Sequence, residues 1–100
     1  MPTTWFISRH PGALHWAEQT GIAYDRHLEH LELDQVQAGD RVIGSLPVNL
    51  AAEVCARGAE YHHLSLELPR ALRGRELSAE QLRQAGARIR RYWVQEVGDA

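Results

Sequence analysis

The stretch "TTWFISRHPGAL", residues 3–14, decides how the chain is read. Thr3, Thr4, Trp5, Phe6 and Ile7 form a short β-favouring run that ends in a turn signal, which predicts a buried strand over residues 3–8. A helical pattern follows immediately. Pro11 suits a first helical turn, where its missing N–H costs nothing, and Gly21 suits the stop. Between them Ala13, Trp16, Ala17 and Thr20 share one face. Ser8, Arg9 and His10 therefore stand together where a strand ends and a helix begins.

The same punctuation recurs along the chain. Residues 25–31, "DRHLEHL", predict a second strand, and the Gly-Asp turn at 39–40 leads into a third over residues 41–45. Pro47 opens a second helix whose apolar stripe is Leu50, Ala51, Val54 and Cys55, with Gly58 as its stop. "EYHHLSLEL", residues 60–68, alternates as a fourth strand, and the arginine-rich loop "PRALRGREL" follows. In the last segment Ser78 and Gln81 make a capping box, Leu77 and Leu82 are spaced as a hydrophobic staple, and Leu82, Ala85, Ile89 and Trp93 predict one long core-facing helix. The resulting order, β-α-β-β-α-β-α, implies a single α/β domain over residues 1–100. Its four-stranded, mostly parallel sheet would carry helices on both faces.

Composition narrows the function classes. The 100 residues are 44% hydrophobic and 24% charged, which is ordinary for a globular chain and argues against disorder. No apolar run approaches a membrane span and no signal-peptide layout opens the chain, so a cytoplasmic protein is expected. All eleven basic residues are arginine, and the lack of lysine excludes a phosphate-binding P-loop. Residues 1–66 hold four arginines against eight acidic residues, whereas residues 67–100 hold seven against five. That imbalance is too weak for a binder of long nucleic acid. Cys55 is the single cysteine and, on the apolar stripe of its helix, reads as a small core residue.

In open α/β sheets ligands bind outside the carboxyl ends of the strands. Ser8-Arg9-His10 occupies that position, where free N–H groups and the helix dipole favour an anion. "GSLP", residues 44–47, repeats the geometry at the next strand-to-helix junction, with Ser45 or Asn49 placed to cap the helix or hold a ligand. Arg9 would bind a phosphate in bidentate fashion, together with the amides after Ser8 and Ser45, and His10 would serve as general acid or base. Arg70, Arg73 and Arg75 lie in the loop after the fourth strand and are placed to close over an anion, whereas Arg83, Arg88, Arg90 and Arg91 read as a solvated helix face. His27 with His30, and His62 with His63, fall on opposite faces of their strands, so no metal site is expected.

"TTWFISRHPGA" and "GDRVIGSLPVNLAAEVCARGAEYHHLSLELP" together resemble the small CRISPR-associated proteins of the Csx series. These are encoded beside type III systems and related in fold to the CARF domains that sense cyclic oligoadenylates. The resemblance covers residues 3–68 closely and "RGRELSAEQLRQAGARI" less distinctively. It implies a homodimeric, Rossmann-like protein that binds a cyclic oligoadenylate, with the tetra-adenylate ring expected, and a ring nuclease that removes this second messenger. No cofactor and no membrane partner are implied. The residues matching the two blocks are Ser8, Arg9 and His10, then Gly44, Ser45, Pro47 and Asn49. With Gly12 and Arg70 these form the expected ligand site, and His10, Arg9 and Ser8 its catalytic part.

Cleavage of such a ring needs no metal if the ribose 2′-OH attacks the neighbouring phosphorus. Two other readings stand beside it. A non-catalytic sponge would hold the ring intact, and a generic small α/β domain would bind another ligand or a protein.

Overall fold

The computed structural model describes residues 1–67 and 70–98, so Leu68 and Pro69, expected at the strand-to-loop boundary, lie outside the described residues. Along the chain run β1 (Thr4–Ile7), α1 (Pro11–Thr20), β2 (Arg26–Leu28), a 3-10 turn (Leu33–Gln35), β3 (Arg41–Gly44) and α2 (Val48–Ala56). Then come β4 (Glu60–Ser65), a second 3-10 turn (Arg70–Leu72), α3 (Ala79–Gln84) and β5 (Arg88–Tyr92). The sheet order is β2-β1-β3-β4-β5, parallel throughout except for the antiparallel β4–β5 pair.

The architecture is α/β, but the sheet has five strands where four were expected. The long final helix is the error. Ser78 does cap α3, accepting from Gln81 N at 3.1 Å while Gln81 Oε1 accepts from Ser78 N at 2.9 Å. The helix then stops after six residues. Gly86 takes φ +72°, a conformation that favours glycine, and Ala87 N donates back to Leu82 O at 3.0 Å, closing the helix end. Beyond it Arg88 and Arg90 alternate with Ile89, which packs on the core as a strand residue opposite Leu64. Trp93, expected in the core, is 67% exposed.

Alternation along the strands feeds two cores. Trp5, Ile7, Val42 and Tyr61 turn to one side, where Ala51, Val54 and Cys55 of α2 cover them. Phe6, Ile43 and Leu64 turn to the other, against Ala13, Trp16 and Ala17 of α1 and Ala79 and Leu82 of α3. A six-residue helix is far below the length that is stable alone in water, so α3 depends on burying Ala79 and Leu82. Cys55 is a core residue as expected, and Val94 N donates to its Sγ at 3.4 Å just beyond β5.

At the amino ends of the strands, Asp40 is the one buried charged residue among those described. Its carboxylate accepts from Thr3 N at 2.9 Å, Gln37 N at 3.0 Å and Trp5 Nε1 at 3.1 Å. Burial pushes its pKa up, but these three donors outweigh burial and hold it below the ordinary value. Asp40 therefore fixes the start of β1 to the turn before β3.

Replacing Asp40 with Ala strands three donors and should cost about 2–5 kcal/mol in urea unfolding at pH 7. A depressed folded-state pKa contributes stability that is complete above the unfolded-state value and fades as pH falls through the folded one. The gap between wild type and Asp40→Ala should accordingly narrow below about pH 4, and a gap independent of pH would exclude the carboxylate as its source.

Candidate active site

The strand order reverses between β1 and β3. From β1 the chain crosses through α1 on one face, and from β3 it crosses through α2 on the other, so the two helices diverge and leave a crevice at the strands' carboxyl ends. A cleft of about 1060 Å³ opens there. Ser8, Arg9 and His10 form one rim and Ser45, Leu46 and Pro47 another, above an apolar floor of Ile7, Leu64 and Leu82.

The first rim is held firmly. Ser8 N donates to Leu28 O at 3.0 Å, and His27 Nε2 lies 2.7 Å from Ser8 O. Ser8 Oγ accepts from His10 N at 3.1 Å and keeps its own proton for a ligand. His10 stands at the N-cap of α1 with its side chain making no cap, so the exposed imidazole is free. Gly12 has a different task. A Cβ there would lie 1.7 Å from Leu77 O, so the glycine permits α1 to meet the backbone leading into α3.

Ser45 Oγ donates to Leu64 O at 2.6 Å, which leaves its lone pairs rather than its proton for a ligand. The amide after Ser45, expected as a phosphate donor, is Leu46 N–H and is already engaged by Tyr61 Oη at 2.9 Å. Tyr61 Oη also lies 2.5 Å from His63 Nδ1 and 3.2 Å from Gly44 O, and its single proton serves one of the two. Burial pushes the phenol pKa up, so Tyr61 stays protonated through the neutral range. Nothing in the sequence marks Tyr61 as more than a strand aromatic. Gly44 packs against β1, where a Cβ would lie 2.9 Å from Ile7 O.

Of the expected site residues, Ser8, Arg9, His10, Ser45 and Pro47 share the cleft, while Gly12, Gly44, Asn49 and Arg70 lie outside its lining. Of the arginine loop Arg75 lines it, and Arg73 does not. Three titratable residues that sequence reasoning did not assign to the site also line it: Glu29 and His30 after β2, and Glu76 before α3. For Glu29 and His30 the reason is the end of β2: the sequence pattern carries the strand through residue 31, whereas pairing ends at Leu28 and frees the next residues to turn into the crevice.

Residues 5–95 match the family model described as "Putative CRISPR-associated protein (Cas_VVA1548)". The chain belongs to this family. The matched span runs from β1 through β5 and includes every rim of the cleft. No curated protein and no solved structure matches the chain.

The cleft of this Cas_VVA1548 chain is mixed in charge, with Arg9 and Arg75 set against Glu29 and Glu76 and two imidazoles, His10 and His30, beside them. Among the described residues, neither arginine has a carboxylate within ion-pair distance. Both guanidinium groups thus keep their donors for a ligand. No group of three His, Cys, Asp or Glu side chains among the described residues is placed to hold a metal ion. No described helix is long and apolar enough to cross a membrane.

Two substitutions test the scaffold. Gly12→Ala drives a methyl into backbone that cannot rotate away, and should cost about 3 kcal/mol or more with a lowered Tm. Tyr61→Phe leaves Leu46 N–H without its partner and should cost about 1–3 kcal/mol in chemical unfolding, whereas an unchanged midpoint would show that solvent satisfies that amide.

Proposed function

We propose that this CRISPR-associated protein is a ring nuclease: it binds a cyclic oligoadenylate, the tetra-adenylate ring being the expected substrate, cleaves it without a metal, and so switches off type III antiviral signalling. In this reading the fold is a CARF-related, Rossmann-like domain. The observation that carries it is the juxtaposition of Arg9, His10 and the Ser8 hydroxyl on a cleft between the N-termini of α1 and α2. Helix N-termini and an unpaired guanidinium favour a phosphate.

The remaining lining fits the rest of a nucleotide. Leu46, Leu64 and Leu77 offer apolar surface to an adenine face, and Glu29 and Glu76 supply acceptors for its amino group. A two-fold symmetric ring would be shared between two copies of the chain, each presenting the same cleft to half of it.

In the reaction the 2′-OH attacks phosphorus, the bond to the 5′ oxygen breaks, and a 2′,3′-cyclic phosphate is left with a free 5′-OH. Arg9 takes up charge on the phosphoryl oxygens and His10 protonates the leaving oxygen. A sponge that holds the ring intact is the alternative, and the apolar floor supports it equally because stacking serves binding whether or not the ring is cut.

Labelled cyclic tetra-adenylate incubated with the protein separates the readings. Cleavage that survives a chelator supports the nuclease, bound but intact ring supports the sponge, and chelator-sensitive cleavage brings a metal back in. His10→Ala should slow cleavage by about 10²–10⁴-fold with binding retained. Arg9→Ala should weaken binding by about 10–100-fold, and unchanged affinity would remove Arg9 from the phosphate site.

A further inference from the structure

The cleft holds a second imidazole, carried by the strand exit next to that of His10. Ile7 pairs with Leu28, so residues 8–10 and residues 29–31 leave adjacent parallel strands at the same height. Their backbones start roughly 5 Å apart, the spacing of paired strands. Ser8 N→Leu28 O, at 3.0 Å, is the closing rung, and the contact of His27 Nε2 with Ser8 O, at 2.7 Å, ties the two exits together from outside. His30 then turns onto the cleft with Arg9 and His10.

Its surroundings give His30 no other employment. Among the described residues the imidazoles of His15, His27, His62 and His63 are hydrogen-bonded within the protein, whereas those of His10 and His30 have no protein partner. His30 is exposed and lies in neither strand nor helix. An imidazole free on both nitrogens, facing a cleft beside an unpaired guanidinium, is available to substrate.

We propose that His30 is a further catalytic residue of this cleft, the general base for which His10 is the general acid; this rests on the nuclease reading above. One imidazole cannot serve both ends of an in-line displacement, because the attacking and leaving oxygens lie on opposite sides of phosphorus. His30 takes the proton of the 2′-OH as the bond from O2′ to phosphorus forms. His10 gives its proton to O5′ as the bond from phosphorus to O5′ breaks, with Arg9 on the phosphoryl oxygens between them. One proton is accepted and one donated, so the protein's net charge is unchanged, and exchange with water restores both rings. The other titratable groups facing His30 across the cleft are Arg9 on the β1 exit and Arg75 and Glu76 ahead of α3, with Glu29 on its own segment.

The test follows cleavage of cyclic tetra-adenylate against pH, using the full chain. Wild type should give a bell-shaped profile, the acidic limb reporting the base and the alkaline limb the acid. His30→Ala should lower kcat by about 10²–10⁴-fold and remove the acidic limb. The same variant should bind the 2′-deoxy ring, which cannot be cut, within about threefold of wild type. A ring carrying sulfur at the 5′ bridging position needs no acid, so it should rescue His10→Ala and leave His30→Ala slow. His30→Ala cleaving at the wild-type rate, losing affinity in step with rate, or being rescued by the 5′-sulfur ring would each overturn the assignment of His30 while leaving the nuclease reading in place. A wild-type protein that leaves the ring uncut would overturn both.

Discussion

The rest of the structure depends on the double pairing of β1. Trp5, Phe6 and Ile7 pair in parallel with β2 on one side and Thr4, Trp5 and Phe6 with β3 on the other, so that Phe6 faces His27 in one ladder and Ile43 in the other. Both faces are buried as well, since Trp5 and Ile7 serve one core and Phe6 the second. A strand gripped on four sides has no freedom of register, because a slip of one residue would exchange the two cores. The carboxyl ends of β1, β2 and β3 are consequently fixed in height relative to one another. Asp40 anchors the opposite end through Thr3 and Trp5, so β1 is located at both ends.

That constraint makes residues 8–10 chemically interesting. Pro11 begins α1 only four residues after Ile7, leaving three residues to carry the chain out of the sheet. Three residues cannot fold back on the core, so their side chains must stand at the sheet's edge. The position was legible in the sequence because each signal there is local: a β-favouring run, then a proline. The Pro47-to-Gly58 helix was legible for the same reason, and so was the α3 cap at Ser78 and Gln81.

What was not legible came from competing periods and from pairing. Ala85, Ile89 and Trp93 satisfy a helical spacing by coincidence, whereas Gly86 follows α3 just as Gly58 follows α2. The sequences after the two glycines, "GAEY" and "GARI", both lead into strands. The glycine carried the stronger physics, since a chain that turns to φ +72° cannot continue a right-handed helix. The role of Tyr61 was invisible for another reason. Its hydroxyl reaches Leu46 only because β3 and β4 pair with Val42 opposite Tyr61, a relation between segments that no local pattern encodes. His30 was hidden by an error of three residues in the end of β2, because a strand residue and a rim residue have identical local composition.

The rims differ in how firmly their backbone is held. Ser8 is tied by its amide, its carbonyl and its hydroxyl, and Leu46 is tied through Tyr61, so the groups nearest the strand ends are held in place before any ligand arrives. Arg75 has no comparable scaffold: its amide makes a long 3.4 Å bond to Leu72 O within an exposed turn. Under the proposed function this fixed backbone sets where the side chains of Arg9 and His10 start, and misplacement of groups that act on a phosphate costs rate steeply. Groups that only hold a ligand gain less from rigidity. Charge at the mouth is mixed, with Glu29 and Glu76 set to repel a bare polyanion that Arg9 and Arg75 would attract. Under the proposed function, a ligand offering both phosphate acceptors and amino donors would satisfy all four side chains at once, so the cleft would discriminate by pattern rather than by net charge.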